Sequence, residues 1–152
     1  MKTYLSLFLY IATAVSIFAD AGVMPRTLFD PTVPGAEKQL QISGDSGSQM
    51  IAEIKDEALV LTLKPGESNW PGMQIVPAGS ARLWDLSIYG HVEMKVENLG
   101  DNMELINLRM DNASSPENRN PWNAEMARIG PGKSAVIRVF FGYSYNFQRA
   151  YP

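Results

Sequence analysis

The chain has 152 residues, a formal net charge of −3 and no cysteine. The acidic balance argues against a nucleic-acid partner, because such proteins need a basic surface. The lack of cysteine excludes disulfides, zinc–thiolate sites and a cysteine nucleophile. Charged residues make up only 19 % of the chain, beside 12 glycines and 10 prolines. This composition favours many short strands joined by turns, as in an all-β sandwich.

The amino-terminal residues have the pattern of a secretory signal peptide. Lys2 supplies a positive charge, residues 4–18 form an apolar core, and Ala19-Asp20-Ala21 offers a small-residue cleavage site. The apolar run is shorter than the roughly 20 residues of a transmembrane helix. We therefore expect residues 1–21 to be removed, with cleavage after Ala19 as second choice, and the product to be extracellular or periplasmic without a membrane span. An uncleaved anchor is the alternative.

The remaining chain is predicted to be one all-β domain. Residues 22–27 are a linker and residues 28–152 the domain, in which apolar and polar residues alternate at the period of half-buried strands. Asp56-Glu57 has the character of a hairpin turn. Residues after the signal peptide show no convincing helical period. The predicted strands are Gln39–Ile42, Gln49–Lys55, Ala58–Lys64, Met73–Val76, His91–Asn98, Glu104–Asp111, Glu125–Ile129 and Ser134–Phe141.

The sequence offers little for catalysis. His91 is the only histidine, so a histidine triad or a transition-metal cluster cannot be assembled, and a structural or surface role is expected for it. Glu93 and Glu97 share a strand face but lie roughly 13 Å apart along it, beyond the carboxylate spacing of glycoside hydrolases. We expect no enzymatic activity from this chain alone.

Aromatic residues in polar loops are the first signs of ligand binding. Trp70, in Trp70-Pro71-Gly72, is placed either to stack on a sugar or to fold back over the core. Trp84 is expected to plug the core, with Asp85 or Ser87 satisfying turn amides. Trp122 follows a polar segment with little to bury it, so Trp122 and its neighbour Asn123 are the better candidates for a ligand contact.

A second sign is the polar face of the strand that precedes this loop. Asn107, Arg109 and Asp111 alternate with apolar residues, and a guanidinium flanked by an amide and a carboxylate can bind several hydroxyls at fixed angles. The alternative is an ordinary solvated sheet face. Asn112 continues this set and begins an N-glycosylation sequon, which is informative only in a eukaryotic host.

Five motifs occur in order along the chain. They are Trp70-Pro71-Gly72, Trp84-Asp85-Leu86-Ser87-x-Tyr89, Val96-Glu97-Asn98, Leu108-Arg109-Met110-Asp111-Asn112 and Phe141-Gly142-Tyr143-Ser144. In these motifs the chain, from about Leu28 to its end, resembles the carbohydrate-binding-module-like domain that precedes the catalytic barrel in β-agarases of glycoside hydrolase family 50. The resemblance implies a jelly-roll β-sandwich of galactose-binding-like arrangement, packed against an (α/β)8 barrel that hydrolyses agarose.

The resemblance also implies where ligands lie. The segment 112–123 and the face with Asn107 and Arg109 would be near the glycan or the barrel. Domains of this kind continue into at least one further strand, so we expect the last strand or strands of the sandwich to be missing after the aromatic segment 145–152. Jelly-roll modules often hold a structural calcium ion through oxygen ligands, and Asp30 and Glu37 are weak candidates for it.

Two hypotheses follow from these patterns. The first is a secreted, non-catalytic module that binds agarose or a related galactan. The second is a structural β-sandwich that supports a partner catalytic domain without binding sugar itself. The placement of tryptophan, asparagine and arginine side chains favours the first, since glycan sites combine flat apolar surface with a few convergent polar groups.

Overall fold

The computed structural model describes residues 24–42, 49–66, 70–111 and 122–141, together with the backbone of residues 5–10. Within these ranges the fold is all-β, with one short 3₁₀ helix at Ala36–Gln39. No helix in the described ranges is long and apolar enough to span a bilayer. The strands are β1 (Leu5–Tyr10), β2 (Leu40–Ile42), β3 (Met50–Lys55), β4 (Ala58–Leu63), β5 (Met73–Ile75), β6 (His91–Asn98), β7 (Glu104–Asp111), β8 (Trp122–Ile129) and β9 (Ser134–Phe140).

The strand predictions within the domain are confirmed, most closely where alternation is regular. β6 and β7 begin and end at the predicted residues. β3 and β4 form the predicted hairpin, and its turn residues Asp56 and Glu57 have φ values of 50° and 62°. Two left-handed residues in a two-residue turn match the right-handed twist of the flanking strands. β8 differs from the prediction, because it begins at Trp122 rather than Glu125.

The strands form one larger sheet and two ribbons. The five-stranded sheet has the order β3-β4-β1-β6-β9, and the ribbons pair β2 with β5 and β7 with β8. All of these pairings are antiparallel. Antiparallel sheets often bury one face and leave the other to solvent, which explains the alternating burial along β6 and β7.

One core lies between the five-stranded sheet and the two ribbons. The large sheet contributes inward residues of β3, β4, β6 and β9, while Ile106 and Leu108 of β7 and Leu40 and Ile75 of the other ribbon pack against them. Leu28 and Phe29 are buried. The buried members of the core are Phe29, Ala36, Met50, Leu59, Leu61, Met94, Val96, Ile129 and Ile137.

The β7–β8 hairpin is anchored to the large sheet at both ends by buried amides. Asn98, fully buried at the end of β6, donates through Nδ2 to the carbonyl of Ile129 at 2.8 Å. At the other end, Asn123 Nδ2 donates to the carbonyl of Phe140 at 2.9 Å. A buried amide without a hydrogen-bond partner costs free energy, so these two bonds fix the position of the hairpin against β6 and β9.

The strand β1 lies within the predicted apolar core of the signal peptide. Its backbone pairs with β4 on one side and with β6 on the other, at the centre of the five-stranded sheet. The signal peptide remains a prediction from the sequence. The cleavage site lies in residues 11–23, and the aromatic carboxyl-terminal segment in residues 142–152, both outside the described residues.

Candidate functional site

The predicted polar face of β7 lies on the solvent side of the β7–β8 hairpin. Asn107, Arg109 and Asp111 are exposed and alternate with residues that pack toward the core. The register places Trp122 opposite Asp111 and Ala124 opposite Arg109. Because directly paired residues share a face, Trp122 joins the polar residues of β7 on the outer surface.

Arg109 connects the polar and aromatic parts of this surface. Its Cζ lies 4.9 Å from the centre of the Trp122 ring, within the range of a cation–π contact. The small side chain of Ala124, opposite Arg109, leaves room for the guanidinium to extend along the hairpin toward Trp122. Two guanidinium nitrogens, Nε and Nη2, donate to the same oxygen of Asp111, Oδ1, at 2.9 and 2.6 Å. The guanidinium is therefore held in a defined orientation on the ring.

Two apolar side chains extend the same face. Leu105 is 47 % exposed on β7, and Met126 is 53 % exposed on β8, directly opposite Asn107. Exposed aliphatic carbon beside an amide and an ion pair gives a mixed surface rather than a purely charged one. Arg128, which is exposed and directly opposite Leu105, lies on the same face. We call this surface the hairpin face; it consists of Leu105, Asn107, Arg109, Asp111, Trp122, Met126 and Arg128.

Leu105 and Met126 were not among the residues proposed from the sequence. Leu105 was within reach of sequence reasoning, because it is two residues from Asn107 on a strand with period-two alternation. Met126 was not, because its place depends on the register between β7 and β8. That register starts at the pair Asp111–Trp122, three residues before the predicted start of the strand.

Two other proposed residues do not contribute to the hairpin face. Asn123 is only 4 % exposed and points to the opposite side, where its amide anchors β8 to β9. The structure thus gives Asn123 a structural role that the sequence did not predict. Asn112, with the rest of residues 112–121, lies outside the described residues.

The other two tryptophans belong to different parts of the domain. Trp70 is 69 % exposed in the segment that leads into β5, a strand paired with β2 rather than with the hairpin. Exposure at this level does not fit a lid buried on the core. Trp84 is half-buried, and Asp85 Oδ1 accepts hydrogen bonds from the backbone N–H and hydroxyl of Ser87, as the turn prediction required.

The predicted calcium candidates are engaged locally or solvated. Asp30 Oδ1 accepts hydrogen bonds from the hydroxyl and the backbone N–H of Thr32, and these bonds hold the pKa of Asp30 below its usual value. Glu37 lies in the first turn of the 3₁₀ helix. Among the described residues, no group of three or more histidine, aspartate or glutamate side chains is arranged to hold a metal ion.

His91 is buried on the outer side of the large sheet. Its ring is 2 % exposed and 5.4 Å from the ring of Phe140, and among the described residues neither ring nitrogen has a hydrogen-bond partner. Its Nε2 lies 3.8 Å from Oε2 of Glu93, which accepts a 2.9 Å hydrogen bond from Arg138. Burial lowers the pKa of His91 below its usual value of 6.5. A neutral imidazole enclosed in this way has a packing role, as expected.

Two grooves lie away from the hairpin face. One, of about 440 Å³, is lined by residues that include Arg26, Gln39 and Trp84. Its neighbour, of about 540 Å³, shares Gln39 and adds Lys38 and Arg82. Neither contains a pair of carboxylates in contact or any residue of the hairpin face. The hairpin face, where an ion pair is ordered beside an aromatic ring, is the stronger candidate.

No protein-family model, curated protein or solved structure matches this chain.

Proposed function

We propose that the chain is a non-catalytic module that binds agarose or a related galactan on the hairpin face. The observation that carries the proposal is the guanidinium of Arg109, which is stacked on Trp122 and tethered to Asp111 at a half-exposed position. The pair is 52 % and 53 % exposed. An ion pair in that setting contributes little to stability, so its ordered geometry is better explained by recognition.

The chemistry of the face suits a sugar chain. A pyranose ring presents C–H patches, which can pack on Trp122 and on the exposed carbon of Leu105 and Met126. Its hydroxyls need both donors and acceptors, which the guanidinium, the Asp111 carboxylate and the Asn107 amide supply. The net charge of −3 also favours a neutral polysaccharide over a strongly anionic one.

The proposal includes the finer architecture and context. We assign the five-stranded sheet and the two ribbons to the two layers of a jelly-roll sandwich, supported by their antiparallel pairing around one core. The likeness to the amino-terminal domain of family 50 β-agarases supports a secreted protein in which the module assists an (α/β)8 barrel. Catalysis would then belong to the barrel.

One observation favours the alternative of a purely structural module. Leu105 and Met126 expose apolar surface that would pack equally well on a neighbouring protein domain. In that case Arg109 and Trp122 would form the polar rim of a domain interface, and the module would have no affinity for sugar by itself.

Affinity electrophoresis separates the two functions. The full chain is run in native gels with and without agarose, beside Trp122→Ala and a matched control, Arg138→Ala, which removes a half-exposed, ion-paired arginine of the large sheet. Binding predicts retardation of the wild type and of Arg138→Ala, with an affinity about tenfold lower in Trp122→Ala, equivalent to about 1.4 kcal/mol. Equal mobility of all three proteins in both gels would contradict sugar binding.

A further inference from the structure

The centre of the five-stranded sheet is completed by a segment remote from its neighbours in sequence. β4 and β6 do not pair with each other; β1 lies between them and pairs antiparallel with both. The register aligns Leu7 with Leu61 on β4 and with Asn98 on β6, and it aligns Leu9 with Leu59 and Val96. Both edges of β1 are therefore used for backbone pairing.

The two neighbouring strands are among the most buried in the domain. Leu59 and Val96 are fully buried, and Leu61 is 7 % exposed. Removal of the strand between them would open two edges with unpaired N–H and C=O groups beside the core. Each buried group left without a partner costs about 1–3 kcal/mol, so the position requires an occupant.

The present occupant is also the segment that the sequence marks for removal. Leu5–Tyr10 lies in the apolar core of the predicted signal peptide, and cleavage after Ala21 would release it from the chain. The same residues cannot both remain at the centre of the sheet and be removed with the signal peptide. Processing would therefore empty the position between β4 and β6.

We propose that the position between β4 and β6 is a strand-acceptor site for an extended apolar peptide of about six residues that runs antiparallel to both strands. Leu5–Tyr10 fills the site in the unprocessed chain, and a strand of a partner polypeptide fills it after processing. Backbone pairing on two edges supplies affinity in this mode of binding, and alternate side chains supply specificity. The observed occupant defines that chemistry, with leucine at positions 5, 7 and 9 in register with the leucines of β4.

Disulfide trapping in the full chain tests the register. The chain has no native cysteine, so a double variant forms a single defined bond. Phe8→Cys with Val60→Cys joins two directly paired positions. Phe8→Cys with Glu53→Cys is the control. Glu53 of β3 pairs with Val60 across the opposite edge of β4, so it lies two strand spacings, roughly 9.6 Å, from position 8. A disulfide needs Cα atoms within about 7 Å.

The expected result is an intramolecular disulfide in the first variant at a yield at least fivefold above the control under mild oxidation. Equal yields in the two variants would overturn the observed position of the amino-terminal strand and, with it, the proposal.

Peptide exchange tests acceptance of a strand in trans. A protease site is placed between residues 11 and 21 of the full chain, the folded protein is cleaved, and a fluorescent peptide of residues 4–11 with terminal lysines is added. A peptide carrying Phe8→Pro is the control, because proline removes a ladder donor from the strand centre. The proposal predicts uptake of the native peptide and at least tenfold weaker uptake of the proline peptide. No uptake after cleavage, or equal uptake of both peptides, would overturn it.

Discussion

Polar side chains contact the β7–β8 hairpin in two places, the buried hydrogen-bond network of Asn98, which we call the Asn98 corner, and the hairpin face. The first is buried and the second is exposed to solvent. Asn98 is fully buried and its amide makes three hydrogen bonds, to the carbonyls of Asn102 and Ile129 and from the N–H of Gly100. Arg109 and Asp111 are about half exposed. The first arrangement determines where the hairpin lies, and the second presents chemistry on it.

This difference has an energetic meaning. Loss of a buried polar side chain leaves its partners without water to replace it, whereas loss of an exposed one leaves them solvated. Stability should therefore depend on the Asn98 corner, and ligand binding on the hairpin face. Substitutions can therefore be ranked by the expected loss in the free energy of unfolding, from the buried residues to those of the hairpin face.

Asn98→Ala should be the most destabilising change. It removes both donors to Asn102 and Ile129 and the acceptor for Gly100, so we expect a loss of about 2–4 kcal/mol in the free energy of unfolding. Urea denaturation measures it. Asn102→Ala is the control, because Asn102 contributes its carbonyl to this corner and the substitution leaves that group in place. Equal losses in the two variants would contradict the role of the Asn98 side chain.

Gly66→Ala should come next. A Cβ at Gly66 would clash with the side chain of Gln49, which is itself buried. The crowding should cost about 1–3 kcal/mol, again measured by urea denaturation. Gly130→Ala is the matched control, since its new Cβ would lie 3.8 Å from the nearest atom, a carbon of Lys133. A neutral Gly66→Ala variant would show that Gln49 moves aside easily.

His91 should make stability depend on pH. Its pKa is lowered by burial in the folded protein, so the unfolded chain binds a proton first as the pH falls. The contribution of His91 to the free energy of unfolding is fully present above pH 6.5, the ordinary pKa of histidine. It is lost as the pH falls through the lowered pKa of the folded protein. Glu93 opposes this shift and Arg138 adds to it. Thermal unfolding between pH 7.5 and 5.5 should show a decrease that is absent in His91→Phe; an equal decrease in both would contradict this assignment.

The smallest effect on stability is expected for Arg109→Ala. Loss of the exposed pair with Asp111 should change the free energy of unfolding by less than about 1 kcal/mol. Retention by agarose should nevertheless fall about tenfold, as for Trp122→Ala, while Arg138→Ala, which removes the exposed ion pair with Glu93 on the large sheet, leaves retention unchanged. A strongly destabilised Arg109→Ala variant would place Arg109 among the structural residues and remove the contrast with Asn98.

Sequence patterns predicted the strands well because their causes are local. Alternation along His91–Asn98 and Glu104–Asp111 reflects one buried face, and the Asp56-Glu57 turn needs only its own backbone conformation. The outward positions of Asn107, Arg109 and Asp111 followed from the same alternation. For these elements, fold class and solvent face were predictable from a single sequence.

The remaining features depend on contacts between distant residues. The contact of Arg109 with Trp122 requires the β7–β8 register, and the inward position of Asn123 follows from a strand that starts earlier than its sequence suggested. The Asn98 network joins residues up to 31 positions apart. The place of β1 between β4 and β6 also cannot be read from local periodicity, because the same apolar run serves equally well as a leader.

The most direct test of sugar binding on the hairpin face uses the indole N–H signals of Trp70, Trp84 and Trp122. These are recorded by ¹H–¹⁵N NMR during titration with an agarose-derived oligosaccharide and assigned with tryptophan-to-phenylalanine variants. The hairpin-face proposal predicts a saturable shift of the Trp122 signal that is lost in Arg109→Ala, with the Trp84 signal unmoved. A Trp122 signal that stays in place while the oligosaccharide saturates the protein, or shifts confined to Trp70 or Trp84, would contradict it.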